Sequence, residues 1–146
     1  LKYTVSIDID KSIKEVTTLF KDRRNDKLWM KGFQKKTPID GNEGEEGAKC
    51  KVEFLMGKRR FEMEEVIVKI NLPIEYTTTH TTPKVFNRVK NSFEKIDNHT
   101  TRYHTEQEFQ FKGFMKIMAF FMPGAFKKQS MQYLKDFKAF AENQQT

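Results

Sequence analysis

The sequence holds a single cysteine, Cys50, in 146 residues. No disulfide can form within the chain, and nothing in it demands an oxidising compartment, which makes the cytoplasm the default location. The chain opens on Leu1 rather than Met, so the lack of a signal peptide does not by itself decide that point. Also missing is any apolar run long enough to span a bilayer, which takes about 20 residues. The densest run, FMKIMAFFMPGAF at 114–126, is interrupted by Lys116 and by Pro123 and Gly124, and Lys127 and Lys128 follow it at once. No glycine-rich loop suited to phosphate is present, since DGNEGEEG at 40–47 is acidic and lies between strand-like segments. There is no internal repeat, linker or low-complexity segment. At this length residues 1–146 make one domain, large enough to bury a core without a disulfide or structural metal.

What the chain has in quantity is positive charge: 27 lysines and arginines against 20 acids, a net +7. That balance attracts anionic surfaces without naming one. The densest patch runs through Lys21, Arg23, Arg24, Lys27, Lys31, Lys35 and Lys36, opposed nearby only by Asp22 and Asp26. It reads first as a solvated helix face and turn, and it is also suited to transient docking on an anionic membrane. Nucleic acid is not expected, because charge without a known motif or an exposed aromatic platform does not make such a site.

Along the chain the hydrophobic period changes twice. YTVSIDID alternates strictly, as a half-buried strand does. Asp10 or Ser12 can then cap a helix, Ser12 with Glu15 forming a capping box, and Ile13, Val16, Leu19 and Phe20 supply its apolar stripe. The helix fades near Asp22, and RNDKLWMKGF reads as a second, shorter helix carrying Leu28 and Trp29 that Gly32 stops. From Phe33 to Phe111 the period is two, with strands expected at about 33–39, 48–56, 60–71, 74–82, 85–96 and 100–111 and turn chemistry between them. Connections this short make consecutive strands antiparallel neighbours. The last segment returns to helical spacing: Phe114, Ile117, Met118, Phe121 and Met122, then, past a break at Pro123 and Gly124, Phe126, Tyr133, Leu134, Phe137, Phe140 and Ala141. A sheet with one apolar face must cover it, and this long C-terminal helix is the only element of suitable length.

The alternation also assigns faces. Cys50, Val52 and Phe54 point inward, opposed by Lys49, Lys51 and Glu53. So do Val85, Asn87, Val89, Asn91 and Phe93; Tyr76, Thr78 and His80; and Tyr103, Thr105, Gln107 and Phe109. The strand from Phe61 is ambiguous, because Phe61 and Met63 are out of step with Val66, Val68 and Ile70, and a bulge near Glu64 or Glu65 would reconcile them. A buried hydroxyl or amide without a partner costs about 1–3 kcal/mol. The inward Asn, Gln, Tyr, Thr and His groups must therefore satisfy one another or meet water or a ligand. Mostly apolar walls with a few convergent polar groups are the usual form of a small-molecule site. The candidate lining comprises Cys50, Val52, Phe54, Tyr76, Thr78, His80, Asn87, Val89, Asn91, Tyr103, Thr105 and Gln107 of the strands, with Trp29 and, from the C-terminal segment, Met118, Phe121, Met122, Phe126, Tyr133, Leu134 and Phe137.

The order of segments, with KLWMKGF, EEGAKCKVEF, LPIEYT, the hairpin around DNHTTRYH and KGFMKIMAFFMPGAFKKQSMQYLKDFKAF, resembles the START-like or SRPBCC superfamily, in its polyketide cyclase/dehydrase and lipid-transport branch. The resemblance covers about Tyr3 to Glu142. It implies an α+β helix-grip fold of order β-α-α-β6-α, in which a curved seven-stranded antiparallel sheet grips the C-terminal helix around an internal cavity. It further implies that the Phe/Met run walls that cavity and that Pro123 and Gly124 bend it at the mouth. The superfamily shares no catalytic signature, so no catalytic residue is carried over.

Function expected on these grounds is non-catalytic binding or transport of a small hydrophobic or amphipathic molecule, lipid-like or aromatic, with no cofactor and no metal. His80, His99 and His104 lack metal-ligand spacing, although His80 and His104 could meet across strands, and Cys50 has no base partner. Two alternatives stay open: a cyclase-like enzyme, for which His80 with Tyr76 or Tyr103 is the available acid/base set, and a co-chaperone-like module that recognises another chain.

Overall fold

A computed structural model describes residues 1–145. Alternation makes β1 (Lys2–Ile9), and Ser12 starts α1 (Ile13–Lys21), its Oγ accepting a hydrogen bond from the Glu15 amide at 3.2 Å. Asp22 ends α1 and caps a 3₁₀ turn (Arg23–Asn25), accepting from the Arg24 amide. The one-turn α2 (Asp26–Trp29) follows. Gly32, at φ 85°, turns the chain into the sheet, and a Cβ there would collide with the Leu55 carbonyl oxygen.

Six strands then run as a meander: β2 (Phe33–Asp40), β3 (Lys49–Met56), β4 (Arg59–Asn71), β5 (Glu75–Thr81), β6 (Val85–Asp97) and β7 (Thr100–Phe111). Each lies within two residues of its expected limits. The sheet order is β1-β7-β6-β5-β4-β3-β2, antiparallel throughout, so β1 closes the edge beyond β7 and the α1–α2 segment carries the chain to the opposite edge. The curved seven-stranded sheet with a long C-terminal helix is the architecture that the resemblance implied.

Register confirms the inward faces. Cys50 stands opposite Pro38 and Glu65, Glu65 opposite His80, His80 opposite Asn87, and Asn87 opposite Phe109, forming one row across the concave side. A parallel row runs Ile70, Tyr76, Asn91, Thr105 and Val5. The β4 bulge is not at Glu64 or Glu65. It falls between Ile67 and Lys69, so Phe61, Met63, Glu65 and Ile67 share the concave side, the shift brings Ile70 back to it, and Val66 and Val68 face outward. Glu65, whose charge argues for the outside, is therefore an inward residue.

The C-terminal segment forms two helices, α3 (Phe114–Phe121) and α4 (Pro123–Glu142), because Met122 leaves helical geometry and Pro123 opens a new first turn. α4, about 30 Å long at 1.5 Å per residue, packs mainly on β1. Tyr3 Oη donates to the Phe126 carbonyl at 2.9 Å and lies 2.7 Å from Ser130 Oγ, fastening its start. The core lies under its second half, where Phe20 meets Tyr76, Phe93, Tyr103 and Phe137 edge-on at 5.1–5.7 Å. Val5, Ile9, Val16, Leu134 and Ala141 fill the space around these rings.

Candidate functional site: the concave face and its charged corner

The sequence-predicted lining divides into three groups. Trp29, Tyr76, Tyr103, Leu134 and Phe137 belong to the closed core; Trp29 packs on Phe137 with centroids 5.1 Å apart, and Phe137 is wholly buried. Asn91 is sealed beside them, accepting from Tyr103 Oη at 2.7 Å and donating to the Tyr76 carbonyl at 3.4 Å. Thr78, Thr105, Gln107 and Val52 are also buried. Gln107 donates to Thr105 Oγ1 at 3.0 Å and accepts from Asn87 Nδ2 at 3.1 Å. The side chains of Asn91, Tyr103, Thr105 and Gln107 thus have partners within the protein and need no ligand.

The second group remains half-buried on the concave side: Cys50, Phe54, His80, Asn87, Val89, Phe126 and Tyr133. Met63, Phe109 and Phe111 join it, all on inward register positions. Phe126 lies between Phe109 and Phe111 with centroids 5.3 and 5.0 Å away, so this end of the face keeps an aromatic wall.

Met118, Phe121 and Met122 form the third group, and they overturn an expectation. Their helix does not wall an internal cavity; Phe114, Ile117, Met118, Phe120 and Phe121 are exposed, Met115 is half-buried and Ala119 alone is buried. The apolar spacing is that of one helix face, but this face turns to solvent. Spacing fixes which residues share a stripe and leaves open whether anything covers it.

Sequence reasoning missed the charged corner beside the second group. Of the basic patch, Lys21, Arg24, Lys27, Lys31 and Lys35 are exposed, whereas Arg23 and Lys36 turn inward. Lys36 Nζ lies 3.1 Å from Glu65 Oε1 and 3.9 Å from Asp26 Oδ2, His80 Nε2 lies 2.9 Å from Glu65 Oε2, and Arg23 Nη2 lies 2.7 Å from Asp26 Oδ1. Asp26 is 3% exposed, and among the described residues its Oδ1 is the one buried side-chain oxygen or nitrogen without a hydrogen bond, held only by the Arg23 ion-pair contact. Arg23 also lies over the Phe20 and Tyr76 rings, 4.8 and 5.5 Å from their centroids, joining the corner to the core. The available signal was the pairing of Lys36 and Glu65 with neighbours on the inward register, which the misplaced bulge hid.

Burial opposes the charge on Glu65, but the His80 hydrogen bond and the charges of His80, Lys36 and Arg23 outweigh it and hold the carboxyl well below its ordinary range. Asp26 goes the other way, because burial raises it more than Arg23 and Lys36 lower it. Burial, with Glu65 close by, pushes the Cys50 thiol up to about 11, which keeps it protonated and unreactive as a nucleophile. The proposed His80 and tyrosine acid/base set is not assembled. Tyr103 is spent on Asn91 with burial raising its pKa, and His80 is bound to Glu65. Nor do the histidines meet: His104 faces Ser6 and Glu94 on the convex side. Among the described residues no His, Cys, Asp and Glu group could hold a metal, and no helix is long and apolar enough to cross a membrane.

The corner opens into a cleft of about 680 Å³ between the α1–α2 segment and β2–β4, with Cys50, Glu65 and Ile67 on its sheet side. Seven lysines and arginines against four acids line it. No family model matches the chain, and no curated protein matches it by sequence. Solved structures do match: a ZhuI aromatase/cyclase from Streptomyces sp. R1128 (TM-score 0.79, 10% identity, 97% of this chain and 93% of that one) and a conserved protein from Geobacillus kaustophilus (0.79, 16%, 97% and 95%). Truncated norcoclaurine synthase from Thalictrum flavum is similar as well (0.77, 10%, 99% and 95%). The chain has a helix-grip fold, as these structures do. At such identities the likeness speaks for the backbone alone, and the helix-grip residues named above are this chain's own.

Proposed function

We propose that this helix-grip protein binds a small amphipathic molecule on its concave face, without transforming it. The apolar part lies along Phe54, Val89, Phe109 and Phe126, and the polar part reaches His80, Asn87 and the charged corner. The single observation that supports this reading is the contrast within one inward face: most polar groups are closed off in pairs, while the row from Cys50 to Phe109 stays half-buried between the core and α3. Covering it would bury apolar area at about 25 cal/mol per Å². The excess of cations lining the adjoining cleft favours an acidic head group. Norcoclaurine synthase, similar in fold, has been solved with dopamine and hydroxybenzaldehyde, two small aromatic molecules.

Native mass spectrometry of freshly expressed protein, followed by organic extraction, tests the reading. A co-purifying small acid with an apolar body is the expected result. A clean apo mass from several hosts, with no binding of added amphipathic acids, would move the assignment to recognition of another protein chain.

A further inference from the structure

Helix α3 carries a stripe that the core does not use. Phe114, Ile117, Met118 and Phe121 stand at i, i+3, i+4 and i+7, and all four point to solvent, with Phe120 and Met122 beside them. Phe120 is 80% and Phe121 75% exposed, in a protein that packs its core rings edge-on. The other exposed large apolar residues, such as Leu28 and Ile74, are scattered along the chain. A contiguous exposed apolar patch of this kind marks an interaction site.

Charge decides among the occupants. No acidic residue occurs between Glu108 and Asp136, while Lys112, Lys116, Lys127, Lys128 and Lys135 do. All five are exposed, and none forms an ion pair among the described residues. Two copies meeting through α3 would bring lysines against lysines with no acid to match them. An anionic bilayer offers both complements together, an acyl boundary for the rings and phosphate for the ammonium groups.

From these juxtaposed features we infer that α3 is a membrane-docking helix, which inserts Phe120 and Phe121 at the headgroup boundary of an anionic bilayer while the flanking lysines bind its phosphates. This rests on α3 alone and does not require the concave face to hold a ligand. It also differs from docking through the Lys21–Lys36 patch, where no comparable apolar group accompanies the charge.

Co-sedimentation with phosphatidylcholine vesicles, with and without phosphatidylglycerol, tests it. The wild type should bind the mixed vesicles and scarcely the neutral ones. Phe120→Ser/Phe121→Ser should weaken binding by about tenfold or more with an unchanged melting temperature, since neither ring supports the core. Lys116→Glu/Lys127→Glu/Lys128→Glu should do the same, whereas Lys27→Glu/Lys35→Glu should have little effect. If the serine variant fails to fold, Phe120→Trp gives an independent readout: indole emission should shift to the blue on adding mixed vesicles. Absence of vesicle binding, wild-type binding by the serine variant, dependence on Lys27 and Lys35, or no blue shift would overturn the inference. So would a dimer in sedimentation equilibrium that the serine variant dissolves.

Discussion

Two ends of the same concave face obey one pattern of alternation and meet opposite fates. At the α1 end, Phe20, Tyr76, Phe93, Tyr103 and Phe137 interlock, and the Tyr103 hydroxyl is paired within the protein, with Asn91. At the α3 end, His80, Asn87, Val89 and Phe126 remain half-buried, and the helix that would cover them faces away. The difference lies in what the helices supply. α1 and the second half of α4 deliver large apolar side chains to the sheet, while α3 buries only Ala119 and half-buries Met115. An inward polar residue is thus no sign of a site unless the space above it is left unfilled. The charged corner lies between the two regimes, tied to the core through Arg23 and open to the cleft through Glu65.

The sharpest way to break this comparison is to empty the filled end. Phe137→Ala should cost about 3–5 kcal/mol, read by urea denaturation; a loss below about 1 kcal/mol would mean that the core there is not close-packed. Next comes the corner. Glu65→Gln leaves Lys36 with a half-satisfied neighbourhood and should cost about 2–3 kcal/mol near neutral pH. Because the folded Glu65 pKa is depressed, its contribution is present above the unfolded value of about 4.3 and is lost as pH falls through the folded one. Wild-type stability should therefore decline on acidification from about pH 5, and the Glu65→Gln variant should show a shallower decline. Asp26, with its pKa raised, works in the opposite sense, so equal acid slopes in wild type and variant would show that Glu65 is not the dominant group.

Smaller effects sharpen the contrast. Tyr103→Phe leaves Asn91 Oδ1 without its donor and should cost about 1–2 kcal/mol, with no change in affinity for an anionic fluorescent amphiphile. Asn87→Leu takes the donor from the buried Gln107 side-chain oxygen and should cost about as much, but it should also weaken that probe severalfold in a fluorescence titration. If both variants affect the probe equally, the two ends are not distinct.

Element order, the strand limits and nearly every inward face were legible in the sequence, because period-two alternation over six consecutive strands leaves little freedom of register. The capping box at Ser12 was equally local and equally readable. What was not legible depended on partners distant in the chain. Glu65 turns inward through a bulge whose position Ile67 and Lys69 do not announce, and Lys36 is separated from it by 28 intervening residues. Lys36 resembled its exposed neighbours until Asp26 and Glu65 were placed around it. For α3 the stripe was plain, but Phe120 and Phe121 could be judged exposed only once Met122 and Pro123 had turned the helix away from the sheet.

On this reading the half-buried row, and not the exposed helix, receives the small molecule. Amide and methyl NMR during titration with an anionic amphiphile below its micelle concentration tests this most directly. Saturable shifts are expected at Cys50, His80, Asn87 and Val89, diminished by Asn87→Leu. Shifts confined to Phe120, Phe121 and Met122, with the inward row silent, would contradict it.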